Sequence, residues 1–205
     1  MAAAAHGLAA HDAPARIGPN AILRVAEALR RSGGAAIERR IFHAAHLDGY
    51  LGAPPERMVD EAEVTRLHHA LRVTLGDASA RAISIDAGRA TGDYLLAHRI
   101  PKPVQALLKL MPSRLAARVL LQAISRHAWT FAGSGTFTAT PGRPVRFAIR
   151  NNPICRGMLA NAPVCDYYAA TFERLFRTLV DRRAEVVEIE CEAMGADACR
   201  FEIRW

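Results

Sequence analysis

The hydrophobic period of this 205-residue chain changes once, near residue 126, and that change limits the folds open to it. Before it, apolar residues recur every three or four positions, the spacing of helices with one buried face. Ile22, Val25, Ala26 and Leu29 start the pattern; Gly33-Gly34 stops it, and Ile37, Ile41, Phe42 and Ala45 resume it. Gly52 to Pro55 reads as a turn. Glu56 to Leu75 reads as a helix, with Val64, Leu67 and Leu71 inward, and Ala78 to His98 as another, capped by Asp77. Two short helices, Val104 to Met111 and Ser113 to Arg126, flank Pro112. After residue 126, alternation takes over. Trp129, Phe131 and Phe137 alternate about Gly133-Ser134-Gly135, as in strands joined by a glycine turn. Val145, Phe147 and Ile149 point one way, and Arg146, Ala148 and Arg150 the other. Glu185 to Glu190 and Cys199 to Trp205 read as strands, with a helix from Cys165 to Val180 before them. N-terminal helices followed by an antiparallel sheet with an embedded helix make an α+β fold. Residues 1–18 read as a disordered lead-in without the basic start and apolar core of a secretory signal. Residues 19–205 then form one domain, with a helical part at 19–126 and an α+β part at 127–205.

Apolar residues make up 51% of the chain, enough for a packed core, yet no apolar run is long enough to span a bilayer. This predicts a cytoplasmic protein with reduced thiols. The net charge is +7, and Lys102 and Lys109 are the only lysines. Arginine forks suit carboxylates and phosphates, so the balance fits an anionic small molecule or an anionic membrane face. A merely solvated arginine-rich surface is the other reading. No basic run with interleaved aromatics occurs, which argues against a nucleic-acid partner. Residues 104–126 are amphipathic and basic. They either make a peripheral membrane or partner contact, or face the core with a solvated rim. Gly88 and Gly92, four apart on one helix, call for a close approach by another backbone or a flat ligand.

Cys155, Cys165, Cys191 and Cys199 crowd the C-terminal part. In a reduced compartment, clustered cysteines point to metal or catalysis more than to disulfides. Cys191 closes the strand that carries Glu188, and Cys199 opens the next, so the two thiols face each other across a hairpin. Cys165 sits at a helix start, where the dipole favours a thiolate. Three thiolates and a carboxylate would make a closed tetrahedral set suited to structural Zn²⁺. The spacing is not that of a zinc ribbon, and four small buried apolar side chains is the other reading.

The run Glu188-Ile189-Glu190-Cys191-Glu192-Ala193-Met194-Gly195-Ala196-Asp197-Ala198-Cys199-Arg200-Phe201-Glu202-Ile203 resembles the closing motif of the 4-vinyl-reductase domain family. His98-Arg99-Ile100-Pro101 and the stretch from Ser125 to Gly135 resemble its BchJ-like, bacteriochlorophyll-biosynthesis branch. The likeness spans roughly residues 20–205. It implies a ligand-binding fold similar to that of vesicle-tethering subunits and aromatic-sensing bacterial activators, with a homodimer through the helices. It also implies a zinc set of Cys, Glu, Cys and Cys, the Glu three before the second Cys and the last Cys eight after it. Glu188, Cys191 and Cys199 keep those offsets, Cys165 fits the first position, and Cys155 has no counterpart and reads as a buried thiol.

The family label implies reduction of the 8-vinyl group (4-vinyl in older numbering) of a divinyl chlorophyllide precursor. Such a reduction needs a hydride from NADPH or a flavin. No dinucleotide fingerprint is present: Gly133-Ser134-Gly135 lacks the third glycine and opens no helix after a strand. Outside the zinc set, no cysteines remain for an iron–sulfur cluster. The expected function is therefore an accessory protein. It binds or delivers a divinyl (proto)chlorophyllide-type tetrapyrrole among bacteriochlorophyll-pathway enzymes. The alternatives are the reductase itself, borrowing soluble NADPH, and a small-molecule sensor or scaffold. For the ligand, His127 and Trp129 share one strand face: imidazole ligates a chlorin Mg²⁺ and indole stacks on its plane. Arg126 or Arg99 would pair with a propionate. A backbone-bonded His127 is the other reading. His43, His46, His68 and His69 form no metal motif and read as surface or inter-helix residues.

Overall fold

A computed structural model of the chain describes residues 15–205; residues 1–14, most of the expected lead-in, lie outside the described residues. The end of that lead-in is ordered. Arg16–Ile17 (β1) pairs antiparallel with Val59–Asp60 (β2), because Ile17 is an apolar anchor that becomes buried.

Helix α1 (Asn20–Ala44) is broken at Gly33-Gly34, as expected; Gly34, at φ 72°, takes a conformation open to glycine. A single helical turn, α2 (Gly49–Gly52), fills the expected turn region. Helix α3 (Glu61–Leu75) starts later than predicted, because residues 59–60 pair with β1 and Asp60 caps the helix, accepting from the Ala62 amide at 2.8 Å. Helix α4 (Asp77–His98) is capped by Gly76 at φ 76°, which places Asp77 in the first turn rather than at the cap. Helices α5 (Lys102–Leu110) and α6 (Ser113–Arg126) follow their spacing.

The expected strand at Trp129–Phe131 is instead a one-turn helix, α7 (Trp129–Ala132). The alternation was real but its cause was not a pleat. Phe131 turns into an aromatic cluster with Phe137, Tyr168 and Phe172, while Trp129 points to solvent.

Four antiparallel strands follow: β3 (Thr136–Thr140), β4 (Val145–Arg150), β5 (Glu185–Glu190) and β6 (Cys199–Arg204), in the order β3-β4-β6-β5. Helix α8 (Asp166–Leu179) packs on this sheet; the Phe147 ring lies 4.3 Å from Phe172 and 4.5 Å from Phe201. The other side of α8 meets α4. A Cβ on Gly88 would fall 2.3 Å from the Tyr167 carbonyl oxygen, and one on Gly92 would fall 2.7 Å from Arg174 Cβ. The glycine pair therefore serves backbone packing, reinforced by the Thr171 hydroxyl, which donates to the Gly88 carbonyl at 3.0 Å. Among the described residues the class is α+β, and no helix is long and apolar enough to cross a membrane.

Two polar side chains are buried at element junctions. His68 on α3 is edge-on to Tyr167, with ring centroids 5.5 Å apart, and burial together with Arg72 pushes its pKa down to about 4. It is an inter-helix residue, while His43 is exposed and pairs with Asp48. Glu61 accepts from the Ser134 amide and hydroxyl and from Arg156, clasping α3 to the glycine turn. Burial raises its pKa, but those hydrogen bonds outweigh burial and hold the carboxylate below its ordinary range.

Candidate metal centre

Four segments converge beneath the C-terminal hairpin, and each reaches it for a local reason. Strand β5 has the sharpest one. Val186 pairs with Ile203 and Glu188 with Phe201, so both share the inward face of β6. Strict alternation would then turn Glu190 inward. A bulge intervenes: Glu190, not Ile189, is opposite Arg200, so one extra residue shifts the phase and Cys191 turns inward, fully buried. Beyond it, the 3₁₀ turn Glu192–Met194 and Gly195, at φ 89°, reverse the chain. Cys199 opens β6 on the same face as Phe201 and Ile203, and Cys165 stands at the N-cap of α8.

The fourth segment is the connection from β4 to α8. Asn152 is fully buried; its side-chain oxygen accepts from the Ile154 amide at 3.0 Å and its Nδ2 donates to Cys165 Sγ at 3.2 Å. Glu192 accepts from the Asn151 and Asn152 amides, and Ala160 donates to the Ala193 carbonyl. These bonds lay the connection against the hairpin and bring in Cys155. Sequence spacing excluded this thiol; the structure includes it.

The four sulfurs lie within 4.8 Å of one another and all four residues are buried. Cys155 Sγ is 3.4 Å from Cys199 Sγ, Cys165 Sγ is 3.5 Å from Cys199 Sγ, Cys191 Sγ is 3.8 Å from Cys199 Sγ, and Cys165 to Cys191 spans 4.0 Å. A tetrahedron with Zn–S bonds of about 2.3 Å has edges of about 3.8 Å, so the donor set fits zinc without rearrangement. Backbone and side-chain N–H groups already face the sulfurs: the Glu192 amide donates to Cys199 Sγ, and Asn152 to Cys165 Sγ. Hydrogen bonds from Cys155 and then Cys165 and Cys199 push the Cys191 thiol far down, whereas burial pushes Cys165 up. Four thiols in contact cannot all keep their protons comfortably, and a cation relieves that crowding.

Glu188 sits at the rim. One carboxylate oxygen accepts from the Cys165 amide at 2.8 Å; the other, Oε1, is buried without a hydrogen-bond partner among the described residues. Burial and then the charge at Cys191 push its pKa up to about 8.

The residues expected to hold a ligand are less concentrated. Arg126, His127 and Trp129 share the α6–α7 junction and are all exposed. His127 caps the end of α6, with Nδ1 2.8 Å from the Ala123 carbonyl oxygen. Arg99 follows the end of α4, its guanidinium 5.8 Å from the Tyr94 ring centre. No hydrogen bond or ion pair among the described residues links Arg99 to the junction.

Over 92% of its length this chain is 45% identical to the bacteriochlorophyll synthase 23 kDa chain of Cereibacter sphaeroides, covering 90% of that protein. It belongs to that family. The model of the 4-vinyl-reductase domain matches residues 145–205, the segment that holds all four thiols. In fold, this member of the 23 kDa-chain family is similar to an Fe(II) unliganded H-NOX protein mutant from K. algicida. That likeness has a TM-score of 0.61 at 12% identity and covers 92% of this chain and 96% of that one. The phenol-responsive sensory domain of the activator PoxR, solved with phenol, matches at TM-score 0.50 and 20% identity, over 73% and 77% of the two chains. The expected kinship with activator sensory domains is thus seen in the fold.

Proposed function

We propose that this protein is an accessory of bacteriochlorophyll biosynthesis that binds a divinyl (proto)chlorophyllide-type tetrapyrrole and hands it to a pathway enzyme. The observation that carries the reading is the near full-length identity to a relative named as one chain of bacteriochlorophyll synthase. An accessory role rather than a catalytic one is supported by the chemistry of the thiol cluster. We infer that it holds Zn²⁺ through Cys165, Cys191, Cys199 and a fourth donor. Cys155 and Glu188 Oε1 compete for that place, and the sulfur spacings favour Cys155. Four protein donors leave no open coordination position, so zinc would crosslink the hairpin to α8 and supply no reaction chemistry.

Pigment contact is assigned to the α6–α7 junction. The Ala123 carbonyl engages Nδ1 of His127, which leaves Nε2 as the nitrogen free to ligate a chlorin metal. Trp129 offers an exposed plane beside it, and Arg126 or Arg99 would meet a propionate. The test is a titration of the protein with divinyl protochlorophyllide, with and without NADPH, followed by absorbance and pigment chromatography. Saturable binding with the vinyl group unchanged is expected, weakened by His127→Ala. Turnover of the vinyl group with NADPH would make the protein the 8-vinyl reductase itself. No binding would leave a sensor or scaffold role.

A further inference from the structure

We propose that helices α5 and α6 form a docking surface for an anionic lipid bilayer. The charge of the molecule is distributed unevenly along the chain. Between Asp93 and Asp166 there is no acidic residue, yet the segment carries ten arginines and lysines, against a net charge of +7 for the whole protein. Three of those cations are neutralised inside the fold: Arg146 by Glu202, Arg150 by Asp197 and Arg156 by Glu61. Lys102, Lys109, Arg114, Arg118 and Arg126, all on α5 and α6, are exposed and enter no ion pair among the described residues. Arg114 and Arg118 meet Arg143, from the β3–β4 turn, around a cleft of about 300 Å³ bordered by Trp205. Three guanidinium groups around one hollow with no carboxylate side chain lining it suit phosphate oxygens, which arginine forks engage in pairs.

The same two helices leave apolar side chains uncovered. On α5, Leu110 is 85% exposed and Leu107 55%, with Val104 beside them at helical spacing; on α6, Leu115 and Val119 are exposed one turn apart. The buried faces of the helices are separate from these rows: Gln105 and Leu108 on α5, and Ala116, Ala117, Leu120 and Leu121 on α6. Folding is therefore satisfied without the outer rows. Exposed leucines interspersed with unpaired cations, followed by the exposed Trp129, match the chemistry of a helix pair lying in a headgroup layer. A soluble acidic partner would use the cations but gain little from Leu110. A second copy of this chain would set like charges against each other.

The test uses the full chain and vesicles of phosphatidylcholine with or without phosphatidylglycerol, read by co-sedimentation. Binding is expected only with the anionic lipid, and raised salt should weaken it. Each cation near an anionic leaflet contributes about fivefold to partition, so Arg114→Glu/Arg118→Glu should lower binding by about twentyfold or more. Leu107→Gln/Leu110→Gln should also reduce binding while leaving thermal unfolding unchanged. Equal binding to both vesicles, no binding to either, or wild-type binding by both variants overturns the proposal. So does a dimer in lipid-free buffer that Leu107→Gln/Leu110→Gln dissociates while wild type ignores the vesicles. The vesicles carry no pigment, so none of these outcomes bears on tetrapyrrole binding.

Discussion

The thiol cluster and the α5–α6 layer lie in one chain but place their chemically distinctive side chains in opposite directions. At the cluster, four segments meet, every sulfur is buried, and N–H groups from Asn152 and Glu192 are already aimed at the site. On α5 and α6, apolar side chains and cations stay outside together, and among the described residues no carboxylate comes to meet them. The first region would be complete once its ion is present. The second is complete as a fold yet lacks a counterpart. Substitutions in the two regions should therefore fail differently: the cluster through loss of structure, the helical layer through loss of association alone.

The largest effect should come from the cluster. Structural zinc contributes on the order of 10 kcal/mol to small domains that depend on it. Cys191→Ser should abolish stoichiometric zinc in elemental analysis and collapse amide protection across residues 185–204. Metal-free wild type that folds normally would sink the zinc assignment. X-ray absorption sharpens the same point: four sulfur neighbours are expected, reduced by Cys155→Ser and unchanged by Glu188→Gln. Three sulfurs and an oxygen would hand the fourth place to Glu188.

A smaller effect tests burial between the helices. His68 has its folded pKa pushed down to about 4, against about 6.5 when unfolded, so the unfolded chain binds the additional proton. Stability is then full above pH 6.5 and falls as the pH drops toward 4, by about 3 kcal/mol, before levelling off. Urea denaturation across that window should show the slope, and His68→Leu should flatten it. Next in size is Gly88→Ala. Its Cβ meets the Tyr167 carbonyl, a backbone atom that moves only with α8, and a loss of about 2 kcal/mol is expected in the same assay. At the bottom of the scale, Leu110→Gln should shift stability by less than about 0.5 kcal/mol. A large loss there would mean that the outer row is covered after all.

Much of the fold was legible because the apolar pattern had one cause. In α6 and β4, periodicity and burial agree, and α6 keeps its expected bounds. Trp129–Phe131 failed because two aromatic residues two apart fit either a strand or one turn of helix, and contacts with Tyr168 and Phe172 decided between them. In the centre, Cys165, Cys191 and Cys199 sit at element ends, where spacing carries information. Cys155 lies in an irregular connection placed by Asn152 and Glu192, and no periodicity reports on it. The clasp of Glu61 on Arg156, ninety-five residues apart, likewise had no local signal. The buried Asn152 was the available hint, as an Asn-Asn-Pro turn just ahead of a cysteine.

The bulge in β5 gives the strand one residue in reserve. Glu188 and Cys191 both face the interior although three positions separate them, an odd step that a regular strand cannot make. Deleting Ile189 would use up the reserve: the step becomes even, the strand becomes regular, and Cys191 still turns toward Cys199. Inserting a residue at the same place has no such slack to draw on, and without a second bulge it sends the thiol to the solvent side while every ligand type stays in the chain. The tolerance of this strand to length changes is therefore one-sided, shorter by one but not longer. A Glu-x-x-Cys spacing at the end of a strand can accordingly be read as the trace of an extra residue, and not of a helix turn.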